Sequence, residues 1–465
     1  MIVLSYILAL LPLVIAGGIA LMALAFMIHS TRSPWVVIVM TMVAFIAETA
    51  SIHPLSMNLG LWIYPGDAVA IFAAAGLFFR AGFMGKGRLI PMAWWIFGAV
   101  QFVLFAWGVA VHGTGAGVDY RVHFAAWVIC AYLTTFAEDE QLMQRIFHVV
   151  QWLAVGVMAV AVYRWVLSAE DPLFAREIDF FITTGVPFRV IWAPQTLMIA
   201  LAMLVSIFHA ATTRSKGWHW PLALLFALFV LVLQHRSVWV AGMAGLGTLA
   251  FVLSKAKKGA AMKMAAVGIG MVVLVGIAAT SMKDVSTSIQ SQAERAVGEG
   301  GTFQGGRVSS WTALLKDWAT SGSPTTYLIG KPFGGGYERY TSDYAQKAVT
   351  YQPHNYYVQL LYRGGLIGLS AFLWVLWNAA KVLRRRMAEG DPHAPLLLTL
   401  LVTLVIYYIP YGVTFEQGIL LALLLGVISR ERTGKSIGET SQIGYVSLTR
   451  LPNHIMATSN LDGRR

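Results

Sequence analysis

Charge is what this chain has least of. Only 12% of its 465 residues are Asp, Glu, Lys or Arg, against about 25% in an ordinary soluble domain. Apolar and aromatic residues (AVILMFWYC) make up 57%. So few charges cannot solvate the outside of a water-soluble globule, and so apolar a chain is not disordered. Cysteine is nearly absent. Cys130 stands alone in the apolar run 122–136, which excludes an intrachain disulfide and a disulfide scaffold. The segments expected to face outward hold no Asp-x-Asp and no His/Cys cluster, so neither a metal nor a cofactor is expected. No repeat of 20–50 residues is visible, which argues against a solenoid. The net charge of +12 comes without an RNP, zinc-finger or basic-helix pattern, so no nucleic-acid partner is expected.

What the chain does have is long apolar runs. A span needs about 20 mostly apolar residues. Thirteen candidates lie near 3–28, 35–52, 62–79, 90–111, 121–137, 146–168, 187–211, 219–234, 237–254, 262–281, 356–379, 395–411 and 415–429. The first run is too long for the apolar part of a signal peptide and reads as a span. The expectation is an all-α polytopic membrane protein of about 12–13 transmembrane helices. About ten spans fill 1–281, a large external loop follows at 282–355, the C-terminal helices occupy 356–429, and 430–465 is a polar tail expected to be disordered.

Basic residues in short loops set the orientation. Arg80, Lys86 and Arg88 mark one loop, Arg214 and Lys216 a second, and Lys255, Lys257 and Lys258 a third. Lys381 with Arg384, Arg385 and Arg386 marks a fourth, and Arg430, Arg432 and Lys435 open the tail. Thirteen spans put all five on the cytoplasmic side, with Glu138-Asp139-Glu140 as a solvated turn there. The 74-residue insert 282–355 then faces outward. Its seven basic and six acidic residues nearly balance. It is expected to carry two short amphipathic helices, near 285–297 and 308–320, and a loop of that length is usually functional.

Three places carry chemistry. Arg236, in Gln234-His235-Arg236-Ser237, sits between two apolar runs with no Gly or Pro to lead the chain into water. It is either a snorkelling interfacial arginine or a fixed anion site. Arg307 follows Gly305-Gly306 at the start of an expected helix, where free N–H groups and a guanidinium together suit a phosphate or diphosphate. His354 follows Pro353 and opens a span, and Asn355 can cap that helix or hold the imidazole. A neutral His at an interface can take a proton from a hydroxyl, though it can equally be one more interfacial side chain among tyrosines. Gly330-Lys331-Pro332 lacks Walker spacing, so no NTP site is expected. Tyr337, Tyr340, Tyr351, Tyr356 and Tyr357 are candidate platforms for sugar faces. Glu48, Arg164 and Glu416, within or beside spans, would serve a transporter.

An Arg ahead of a span, an Arg-x-x-x-Trp (Arg307 to Trp311) in a late external loop, and His354-Asn355-x-Tyr357 running into Gly365-Leu366-Ile367-Gly368-Leu369 resemble the O-antigen ligase and exopolysaccharide polymerase superfamily. The resemblance spans roughly 190–430. It implies a bacterial inner-membrane glycosyltransferase whose large loop is periplasmic. An undecaprenyl-diphosphate-linked oligosaccharide would be the donor and an acceptor glycan or glycolipid the partner, with a flippase and a chain-length regulator as further candidate partners. Transfer would be inverting and metal-independent, for polymerisation or for ligation to lipid A core. By motif, Arg236 and Arg307 would bind the diphosphate, His354 would serve the acceptor hydroxyl, and Asn355 and Tyr356 would support it. Gln234-His235 departs from the small or hydroxyl residues more usual before that arginine.

Overall fold

A computed structural model describes residues 24–50, 56–58, 62–170, 189–212, 217–256, 307–339 and 352–432. The protein is an all-α polytopic membrane protein. Its described helices are α1 (Leu24–Arg32), α2 (Trp35–Ala50), α3 (Pro65–Phe78), α4 (Met92–His112), α5 (Gly115–Thr134), α6 (Glu140–Glu170), α7 (Ala193–Thr212), α8 (His219–Val232) and α9 (Arg236–Ala256). There follow α10 (Ser309–Ala319), α11 (Pro324–Ile329), α12 (Tyr356–Ala388), α13 (Ala394–Tyr407) and α14 (Gln417–Arg432). A two-residue antiparallel ladder pairs Met57–Asn58 with Trp62–Ile63.

Eleven of the thirteen expected spans coincide with helices, α2–α9 and α12–α14; most of 3–28 and all of 262–281 lie outside the described residues. Among the described residues, six helices are long and apolar enough to cross a bilayer. A seventh counts if α1 and α2, bent by 118°, form one span, and α8 and α13 are shorter apolar helices. The local reasons are ordinary. Pro65 opens α3 at its first turn, where Asp67 Oδ2 accepts from Tyr64 N at 2.9 Å. Gly113, at φ 60, ends α4, so α5 starts at Gly115, six residues ahead of the span expected at 121–137. Helices α7 and α14 are buried along almost their whole length and form the interior against which the others pack.

The two ends of the bundle differ. At one end Lys86 pairs with Glu138 at 2.8 Å, Ser429 Oγ donates to Leu89 O, and Arg430 donates to Ala137 O and Asp139 O. Most of the basic segments meet here, but several of their charges are not solvated. Arg80 is buried and donates to Thr135 Oγ1 at 2.6 Å and to Thr31 O at 2.7 Å, lying over Phe136. Arg386 is buried against Asp391 at 3.6 Å. Arg80 and Arg430 thus satisfy carbonyls left without partners at or just beyond helix ends. Asp139, expected in a solvated turn, accepts from the N–H groups of Gln141 and Leu142 at the start of α6.

At the other end, part of the insert is folded onto the bundle. Helix α10 confirms the expectation near 308–320, while 285–297 lies outside the described residues. α12 is two helices broken at Gly365 (φ 58, ψ −163), and α11 seats on that break. A Cβ on Gly365 would run into the backbone of Leu328, and one on Gly330 into that of Arg363. Arg363, 1% exposed, donates to Pro332 O and Gly336 O and pairs with Asp119 at 3.3 Å. The Gly330–Gly336 stretch is thus a clamp across α4, α5 and α12, not a phosphate loop.

Candidate functional site

The end opposite the basic segments gathers three helix starts. Arg236 is the first residue of α9, Arg307 lies two residues ahead of α10, and His354 lies two ahead of α12. Free N–H groups and the dipole make each such start electropositive. The chain reaches α9 through a tight turn at Gln234, whose φ of 55 is rare for a residue with a Cβ. That turn replaces the Gly or Pro the sequence lacks. It is held from the side: Arg189 Nη2 donates to Gln234 O at 2.7 Å, and buried His235 meets Ile191 O at 2.8 Å. Burial, then Arg189, push the His235 pKa down to about 3, so its imidazole stays neutral. The Gln234-His235 departure is therefore structural, bracing the turn that carries Arg236.

Around Tyr411, in the α13–α14 connection, two of the expected residues, Arg307 and His354, come together. The Arg307 guanidinium lies 5.3 Å from the Tyr411 ring centroid and the His354 ring 5.6 Å from it. The structure adds two arginines that sequence reasoning missed. Burial, followed by the charges of Arg236 and Arg307, holds the Arg189 pKa below the ordinary value. Arg339 is buried, donates to Ser310 Oγ and, at 2.7 Å, to Tyr337 O, and acts electrostatically on His354. Arg189 was hidden at the head of an apolar run, and Pro187 two residues before it gives it the ordinary look of a span entry, unlike Arg236. Arg339 gave no signal in an insert of balanced charge.

His354 itself is open to solvent on one side but crowded by protein on the others. That desolvation, with the repulsion of Arg307 and Arg339, pushes its pKa down to about 4. The ring is a neutral base at pH 7 inside a group of guanidiniums. Asn355 caps α12: its Oδ1 accepts from Val358 N at 3.0 Å, the first of the two roles its position allowed. Tyr356 is fully buried, stacks with His123 at 5.8 Å, and donates its N–H to Tyr408 O at 2.9 Å. Tyr337 is also buried, under Arg363. Neither ring is available to a sugar, because both fill the seam between insert and bundle. Tyr340 and Tyr351 lie outside the described residues, and Tyr357 donates to Val405 O at 2.9 Å.

The residues that would serve a transporter sit toward helix ends rather than mid-span. Glu48 Oε1 accepts from Gly66 N at 3.4 Å, Arg164 donates to Val190 O at 2.8 Å, and buried Glu416 accepts from Thr414 just ahead of α14.

Residues 221–373 match the family model described as O-antigen ligase. The matched segment contains Arg236, Arg307, Arg339, His354, Asn355 and Tyr356, while Arg189 lies outside it. No curated protein matches the chain.

Proposed function

From the O-antigen ligase family match over residues 221–373, we propose that the protein is a glycosyltransferase using an undecaprenyl-diphosphate-linked glycan. It works at the periplasmic face of the bacterial inner membrane and polymerises repeat units of an exopolysaccharide, capsule or O-antigen. The observation that carries this reading is a neutral imidazole, His354, held beside Arg307 and Arg339 at the mouth of three helix starts. Arg236, Arg307 and, from the structure, Arg189 bind the diphosphate, and the helix N-termini add to the field. His354 accepts the proton of the acceptor hydroxyl as its oxygen attacks the anomeric carbon. The bond to the diphosphate oxygen breaks, and undecaprenyl diphosphate leaves with both electrons. A single displacement inverts the anomeric centre. The guanidiniums stabilise charge where it develops, and Asn355 fixes the helix start that aims the imidazole. The family description favours a second form of the same chemistry, ligation to a lipid A core acceptor.

The test is glycan production in a deletion strain complemented with variants, with protein level checked in the membrane fraction. His354→Ala is expected to abolish long product while single lipid-linked units accumulate and the protein persists. Arg307→Lys is expected to fail as well, because a point charge does not reproduce a bidentate fork. Normal product from well-expressed His354→Ala removes the imidazole from the mechanism.

A further inference from the structure

At the basic end, opposite the candidate site, a cleft of about 330 Å³ opens between the start of α4, the second half of α12 and the end of α14. Its walls change character along their length. On α12, Trp374, Asn378, Lys381 and Arg385 line it; spacings of four, three and four put them on one helix face. From Trp374 to Arg385 that face runs ~16 Å at 1.5 Å per residue. The lower part is apolar, with Met92 and Val375 facing Ile428. Trp374 and its neighbour Trp377 are 61% and 62% exposed, as tryptophans are where a helix meets the headgroup region.

The upper part is cationic. Lys381 and Arg385 come from α12 and Arg432 from α14, against the single carboxylate of Glu431. Arg385 is engaged by Glu431 and, at 3.6 Å, by Glu389. Lys381 and Arg432 are exposed and make no ion pair with any described residue. Loop charges that only set topology need no such arrangement, and Arg80, Arg386 and Arg430 at the same end are indeed consumed by helix-end carbonyls or a carboxylate. The cleft instead directs charge that has no partner among the described residues over an apolar, exposed wall.

We propose that this cleft binds an anionic glycerophospholipid of the surrounding leaflet, its phosphate between Lys381 and Arg432 and an acyl chain along Trp374 and Val375. Basic pockets between membrane helices have this affinity for lipid headgroups. The inference does not depend on the proposed function.

The test is native mass spectrometry of the purified full-length protein, with equal amounts of phosphatidylglycerol and phosphatidylcholine in the detergent. The wild type is expected to retain phosphatidylglycerol at least five-fold over phosphatidylcholine. Lys381→Gln with Arg432→Gln should bring the ratio close to one while the gel-filtration profile stays unchanged. Should the double variant aggregate, Trp374→Ala in the wild-type background serves, and it is expected to lower total phosphatidylglycerol retention several-fold. Equal retention of both lipids by the wild type, or a charge variant that keeps the preference, overturns the proposal. Complete displacement of phosphatidylglycerol by millimolar inorganic phosphate also overturns it, because the site would then be one for a free anion.

Discussion

A histidine among arginines is a poor base until something negative arrives. With its pKa held at about 4, His354 is neutral over the whole physiological range, but its proton affinity is low for general-base work near pH 7. A diphosphate on the arginines offsets the charges that depress it, so donor binding raises the pKa of the same imidazole. The sign gives a testable pattern. Protonation inactivates the base, so kcat/KM, which reports the free enzyme, is expected to stay flat from pH 8 to about 5 and to fall near 4. The acid limb of kcat, which reports the complex, is expected at higher pH. Arg339→Gln removes one repelling charge and should move the kcat/KM limb alkaline. A limb fixed near 6.5 that ignores Arg339→Gln would sink the account. The candidate residues most visible in the sequence, Arg236, Arg307 and His354, were those whose charge or ring broke an apolar or Gly-rich context. Arg189 and Arg339 were not legible, because what makes them part of the site is proximity created by folding.

Helices were legible where composition alone decides them, and their interruptions were not. Hydropathy placed α2–α9 and α12–α14, since an apolar run of that length has few alternatives in a bilayer. Nothing in hydropathy marks the break at Gly365 inside a run of 33 helical residues. Gly364-Gly365 and Gly368 were legible as a motif but not as geometry, and the structure separates their roles. At φ 58, ψ −163, Gly365 occupies backbone space essentially closed to other residues, and a Cβ would also meet Leu328. Gly368 would meet only Val100 and Gln101 at ordinary contact distance, 3.6 and 3.7 Å. Gly365→Ala is therefore expected to cost at least about 2 kcal/mol and to unseat α11, lowering the melting temperature and glycan transfer together. Gly368→Ala should stay close to wild type. Equal behaviour of the two in a thermal-shift assay would contradict the kink. The turn at Gln234 was unreadable for a related reason: a positive φ at a residue with a Cβ is set by its neighbours, Arg189 and His235, and not by its own preference.

Across the whole molecule, the five basic segments predicted a common end, and the described contacts bring 84–90, 135–140, 386–394 and 429–432 together there. What loop charge could not show is how many of those cations are structural. The opposite end is assembled from pieces far apart in sequence: residues 189–191, 234–236, 307–310, 337–339, 352–356 and 408–416. Helix α12 joins the two ends, with His354 and Asn355 at one extremity and Lys381 and Arg385 near the other. Because its two halves meet at a break seated under α11, they are indexed separately to the rest of the bundle. One alanine inserted after Leu369 would turn everything beyond it by about 100°, swinging Lys381 and Arg385 away from Arg432 while leaving Asn355, Arg363 and the clamp in register. The same insertion after Val358 would rotate Arg363 out from under Pro332 and Gly336. Insertional scanning along this one helix should thus separate two failures: before the break an added residue unseats the clamp and abolishes glycan transfer, while beyond it the buried face of Phe372, Val375, Ala379 and Leu383 turns out of the core together with the cleft, so that melting temperature and lipid retention fall together.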